Sequence, residues 1–309
     1  MFRLLLAAII LLFSVSLAEA AVCTVHVGDL DFGAVDAIGN ATGTASADIA
    51  ISCTGITPDT ASIALCGNIG EGSGGVAGGI RQSVATQGSL GFALYATSGT
   101  STPWGSTSNT DLGGPLHITV PVTGTDVSYT SHIYGVVPTG QSAAPVGDYS
   151  AQFTGADAVF IYAEGNLDCS APVGGADALA SFSVTASIVA NCDLETADLD
   201  FGTAGIIGEN IDADTDLSIT CTPGTGYAIA IDGGGAHDPD HRLLRSGSDT
   251  VSYGLYSDAQ RTAPWGTSSG TVSSHGTGAE QQHGVYGRIP PQPAAAGAYT
   301  DTVVVTITY

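Results

Sequence analysis

The sequence contains no lysine, and its six arginines stand against 29 Asp and Glu. A formal net charge of -23 repels a phosphate backbone or an anionic membrane surface. Nucleic acid is therefore not an expected partner; neutral, cationic or apolar ones are. Charged residues of either sign make up only 11% of the chain while 43% is hydrophobic, a balance that excludes an intrinsically disordered tail. The 43 glycines follow no three-residue period, so the chain is not collagen-like. Beyond residue 17 no apolar run approaches the roughly 20 residues of a membrane span, and no stretch sustains helical periodicity.

What is present starts with an address. Met1-Phe2-Arg3 carries a positive charge, residues 4–17 are apolar, and Ala18-Glu19-Ala20 supplies the small-x-small pattern of a signal-peptidase site. We read residues 1–20 as a signal peptide, with an exported chain beginning at Ala21. Export makes the six cysteines informative, because thiols oxidise outside the cytoplasm. None forms C-x-x-C and none sits at zinc spacing with a histidine, so neither a metal framework nor a cofactor is expected.

The chain repeats itself. Cys23 is followed by Leu30-Asp31-Phe32-Gly33, and Cys192 at the same offset by Leu199-Asp200-Phe201-Gly202. Ile51-Ser52-Cys53 answers Ile219-Thr220-Cys221, Leu94-Tyr95 answers Leu255-Tyr256, and Pro103-Trp104-Gly105 answers Pro264-Trp265-Gly266. Ile133-Tyr134-Gly135 and Gly147-Asp148-Tyr149 recur as Val285-Tyr286-Gly287 and Gly297-Ala298-Tyr299. The order is kept throughout, which predicts two homologous domains, 21–168 and 192–309, joined by residues 169–191.

Inside each copy the pattern is β. Residues 46–53, 214–222 and 302–309 alternate apolar and polar side chains, with Val303, Val305, Ile307 and Tyr309 read as one face of a terminal strand. Gly, Asp, Asn, Ser and Pro clusters break the runs at short intervals, so each copy reads as an all-β sandwich. The repeat pairs Cys23 with Cys53 and Cys192 with Cys221, each closing a loop worth roughly 3 to 4 kcal/mol. Elimination leaves Cys66 with Cys169.

These landmarks together resemble a pair of spore coat protein U domains, the subunit domains of archaic, Csu-type chaperone-usher pili. The resemblance implies an immunoglobulin-like sandwich lacking its last strand, filled first by a periplasmic chaperone and then by a strand from the next subunit, with export through an outer-membrane usher. Shaft subunits carry that donor strand ahead of the first Cys. With Cys23 following closely on the expected cleavage site, this subunit is expected to accept a strand without donating one, as a two-domain tip adhesin at the cell surface does. A purely structural pilus or coat subunit is the alternative.

Ahead of Cys192 such a segment does occur. Phe182, Val184, Ala186 and Ile188 alternate with Ser181, Ser183, Thr185 and Ser187, so one face can be buried and the other solvated. We read it as an internal donor strand for the first domain; a first strand of the second domain is the other reading.

Enzymatic motifs lack their context. Gly70-Glu71-Gly72-Ser73-Gly74-Gly75 fits G-x-G-x-x-G and Gly266-Thr267-Ser268-Ser269-Gly270 fits G-x-S-x-G, but neither lies between a strand and a helix. His237-Asp238-Pro239-Asp240-His241 reads as a polar turn, with weak calcium or zinc binding left open. No catalytic residue is assigned. Adhesion is expected in the long glycine-rich loops of the first domain, where Val76, Ile80, Leu112 and Leu116 are candidate contacts for an apolar or abiotic surface in biofilm attachment, or else fold back onto the core.

Overall fold

A computed structural model describes residues 21–39 and 41–309; the signal segment read at 1–20 falls outside the described residues. The first domain contains β1 (Val22–Val27), β2 (Leu30–Val35), β3 (Gly43–Thr54), β4 (Ser62–Ile69), β5 (Val76–Ala77), β6 (Ile80–Val84), β7 (Ser89–Tyr95), β8 (Leu116–Pro121), β9 (Val127–Val137), β10 (Gly147–Phe153) and β11 (Ala158–Glu164). The connecting segment gives β12 (Ala176–Leu179) and β13 (Phe182–Ile188). The second domain follows with β14 (Cys192–Thr196), β15 (Ile211–Cys221), β16 (Gly226–Ile231), β17 (Arg242–Ser246), β18 (Asp249–Tyr256), β19 (Val272–His275), β20 (Glu280–Ile289) and β21 (Val305–Thr308). Among the described residues, helix is confined to single 3-10 turns.

Each domain is a sandwich. In the first, a long curled sheet ordered β1-β3-β9-β7-β6-β10-β13-β2 packs on a sheet ordered β12-β11-β4-β8; in the second, β14-β15-β20-β18-β17 packs on β19-β16-β21. Cys23 and Cys53 are directly opposed in the β1–β3 ladder and joined by a disulfide, as are Cys192 and Cys221 in β14–β15. A third disulfide joins Cys66 of β4 to Cys169, tying the connecting segment to the first domain.

The repeated motifs have one physical origin. Asp31 and Asp200 each accept the N–H of the glycine two residues on, holding Gly33 at φ 62° and Gly202 at φ 73°, a left-handed turn that glycine adopts freely. The flanking Leu and Phe then point inward against a second glycine. A Cβ on Gly135 would lie 2.7 Å from the Phe32 ring, and one on Gly287 2.7 Å from that of Phe201. The Leu-x-Phe-Gly and Tyr-Gly landmarks are thus two halves of one contact. Tyr149 and Tyr299 donate their hydroxyls to Pro145 O at 2.6 Å and Ala295 O at 3.0 Å, the corner that sandwich folds use to fix a crossing strand.

The terminal strand read from alternation is two segments. In the first copy β10 belongs to the long sheet and β11 to the short one, separated by a turn at 154–157. In the second, residues 297–303 touch the long sheet through the Arg245–Thr300 bridge, and β21 pairs with β16 in the short one. Val303, Val305 and Ile307 all turn inward against the second core, as the alternation predicts, while Tyr309 is exposed; Val304 donates its N–H to the Asp232 carboxylate and accepts the Asp232 N–H.

A buried arginine organises each core. Arg81 donates to the carbonyls of Gly70 (2.8 Å), Trp104 (3.0 Å) and Ile69 (3.3 Å); Arg242 donates to those of Asp232, Ile231 and Trp265 at 2.7–2.8 Å. Burial without a paired carboxylate pushes the Arg81 pKa down to about 10. Each arginine precedes its tryptophan by 23 residues, a regularity of the repeat that charge reasoning passes over. Arg81→Met should leave those carbonyls unsatisfied and destabilise the first domain by about 3 kcal/mol or more. Calorimetry should show its transition lowered while that of the second domain is unchanged.

Candidate functional site

The site is built by β13. It lies between β10, with which it pairs antiparallel from Gly147↔Ile188 to Phe153↔Phe182, and β2, with which it pairs in parallel from Val184↔Leu30 to Ile188↔Val35. Two strand edges that would otherwise leave N–H and C=O groups unpaired are satisfied by one segment. Phe182, Val184, Ala186 and Ile188 are all buried in the core of the first domain. Phe182 inserts between the Phe153 ring, stacked at 4.5 Å, and the Trp104 indole at 6.0 Å.

Acidic side chains hold the outer face. Asp29 accepts the N–H of Ser183 at 2.7 Å, and Asp31 accepts the Thr185 hydroxyl at 3.1 Å. The Ser183 contact lowers the Asp29 pKa below its ordinary value of 3.8. β12 adds a second contribution from the same connecting segment, covering the edge of β11 in the opposite sheet. The sequence missed this strand, since Ala176-Asp177-Ala178-Leu179 is too short to show a period. Asp29 was legible in principle, because Asp-Leu-Asp-Phe-Gly recurs whole at 198–202.

The second domain has the same edges in a different state. Residues 199–204, the counterpart of β2, and 297–303, the counterpart of β10, form no ladder, and among the described residues no strand lies between them. Leu199, Phe201, Tyr299 and Val303 are half-buried there, whereas Leu30, Phe32, Tyr149 and Phe153 are buried. Nearby Ile206 is 91% exposed, and Val304 and Tyr309 are exposed as well.

The loop candidates divide. Val76 is 39% exposed and Ile80 half-buried on the β5–β6 hairpin, whose turn uses Gly78 and Gly79 at positive φ. Leu112 and Leu116 are corrected: at 8% and 5% exposure they are core residues and present nothing to a surface. Leu112 lies in a single 3-10 turn and Leu116 begins β8, where alternation turns it inward. Residues 70–75 and 266–270 are irregular segments with no helix after them, and in the 237–241 turn His241 Nδ1 lies 2.8 Å from Asp238. Among the described residues no group of three or more His, Cys, Asp or Glu is placed to hold a metal ion.

The profile of the spore coat protein U domain matches residues 9–155 and 178–306, one match per copy. The chain belongs to the spore coat protein U domain family. It is 31% identical over 169 residues to Protein U of Myxococcus xanthus, covering 48% of this chain and 94% of that one. A chain in the structure of the CsuC–CsuE chaperone–tip adhesion subunit pre-assembly complex, from archaic chaperone-usher Csu pili of Acinetobacter baumannii, superposes with a TM-score of 0.51 at 15% identity. That superposition covers 93% of this chain and 100% of the other, and it bears on the fold. The spore coat U copies of this chain share one sandwich, closed by β13 in the first; among the described residues no strand fills the equivalent edge of the second.

Two outcomes follow for the first spore coat U domain. Val184→Asp with Ile188→Asp places two charges in an apolar core, each costing several kcal/mol, and should lower the first calorimetric transition while sparing the second. Early melting of the second domain alone would contradict the placement of β13. Because the folded Asp29 carboxyl titrates below 3.8, the stability it contributes is complete above that pH and is lost as pH falls through the lowered value. Asp29→Asn should therefore flatten the acid dependence of the first transition below about pH 4.

Proposed function

We propose that the protein is a two-domain tip adhesin of a chaperone-usher pilus, exported through the periplasm and displayed at the cell surface. The observation that carries this reading is the contrast between the copies: the first is completed from within by β13, and the second exposes the same edge. A subunit so built takes one strand from outside, at the second domain. In the periplasm that strand comes from a dedicated chaperone, and after passage through an outer-membrane usher it comes from the next subunit. Asp198 and Asp200 repeat the positions of Asp29 and Asp31, so the open edge carries the acceptors that hold a strand in the first copy. The two-domain likeness to a chain of a chaperone–tip adhesion subunit complex supports the same assignment.

Completion from within leaves the first domain free to bind. Its one arginine, Arg81, is buried, so its surface bears no fixed positive charge and offers nothing to polyanions. Val146, immediately before β10, donates its N–H to Pro223 O of the second domain at 3.1 Å. β6 runs antiparallel to β10 with Val84 opposite Ser150, which places Ile80 and Val76 toward the Phe153 end, away from that junction. An apolar hairpin remote from the fibre is suited to attachment to apolar or abiotic surfaces in a biofilm.

The test is co-expression in the periplasm with a family chaperone. The chain should be recovered in a one-to-one complex and should aggregate without the chaperone; a stable monomer made alone would contradict an open second domain. Gold labels on the first domain should decorate one end of the fibre, and labels along its length would make this a shaft subunit. Val76→Ser with Ile80→Ser should leave piliation intact and reduce attachment to polystyrene.

A further inference from the structure

The floor of the groove differs between the copies at one place. In the first, Ala151 of β10 faces inward opposite Val184 of β13 and shares one core with Phe92 of β7, and all three are buried and apolar. Tyr149 and Tyr299 align the two copies, and so do Leu94 and Leu255, which makes Asp301 the counterpart of Ala151 and Tyr253 that of Phe92. The Tyr253 hydroxyl donates to Asp301 Oδ2 at 2.8 Å, and Oδ1 accepts the N–H groups of Gly235 and Thr302, each at 2.9 Å. An ionised carboxylate offers about four lone-pair sites, and these contacts occupy three. The remaining one, on Oδ2, belongs to the half of the carboxylate bonded to a single donor.

Resting on the reading of the second domain as a strand acceptor, we propose that its groove selects a donor strand with a hydrogen-bond-donating side chain, such as Thr, Ser or Asn, at the register Val184 occupies in the first domain. The neighbouring inward positions take apolar residues, because Tyr299 and Val303 flank Asp301 as Tyr149 and Phe153 flank Ala151. A valine at the central position would set two methyl groups against the Tyr253–Asp301 pair and leave the carboxylate oxygen without its last partner, which is costly in a closed core. The consequence is discrimination. The β13 sequence that closes the first domain is a poor fit to the second, so a second copy of this chain is disfavoured as donor and the partner is a different polypeptide.

Fluorescent peptides with the sequence of residues 180–190, in the native form and as Val184→Thr, test this by anisotropy as strand exchange into the complex of the full-length protein with its periplasmic chaperone. The threonine peptide should bind about tenfold more tightly. In the D301A/Y253F protein, which restores the apolar pair of the first copy, the order should reverse. Equal or tighter binding of the native peptide to the unmodified protein overturns the proposal without needing any protein variant, and so does an unchanged order in D301A/Y253F. Absence of binding by either peptide removes the acceptor reading itself, and the selectivity with it.

Discussion

A sandwich core cannot close while one of its strand positions is empty, because the flanking backbones carry N–H and C=O groups that need partners and the groove between them is lined with apolar side chains. In the first domain β13 meets both requirements at once, pairing its backbone with β10 and β2 and placing Phe182 between Trp104 and Phe153. The rest of the molecule is arranged around that insertion. Arg81 fixes the Trp104 carbonyl, Gly135 makes room for the Leu30 and Phe32 side chains, and Asp29 and Asp31 hold the outer face of the strand.

Duplication gives two copies of one solution with different endings. The same buried arginine, the same tryptophan donating its indole N–H to a carbonyl, and the same tyrosine corner recur in each. The first copy is followed by a connecting segment that returns over it, with β12 on one sheet and β13 in the other. β13 then runs directly to the second domain, where Asn191 O accepts the Thr222 N–H and the Asn191 amide donates to Asp36 of the first. The segment that completes one domain is therefore also the tether to the other.

The distribution of charge follows the same division of labour. Apart from Arg3, every arginine but Arg81 lies in the second domain, where Arg288 and Arg261 meet Asp212 on the long sheet. The first domain is left without an exposed arginine or lysine.

Much of this is legible in the sequence. The tandem, the β class and the inward face of residues 182–188 follow from spacing and alternation, which are local properties that a strand imposes on its own side chains. The family resemblance rests on the same landmarks. Other features depend on which distant segments meet. Leu112 and Leu116 lie in glycine-rich sequence that resembles an exposed loop, and only the packing of β8 against β4 buries the latter. β12 is too short to announce itself, and Arg81 and Arg242 carry charges of the kind that ordinarily stays in water, whereas clusters of backbone carbonyls hold them inside. The alternation of residues 182–188 fixed one apolar face; whether that face would close the domain behind it or the domain ahead was decided by the fold, because complementarity belongs to the groove between β10 and β2 and not to the strand that fills it.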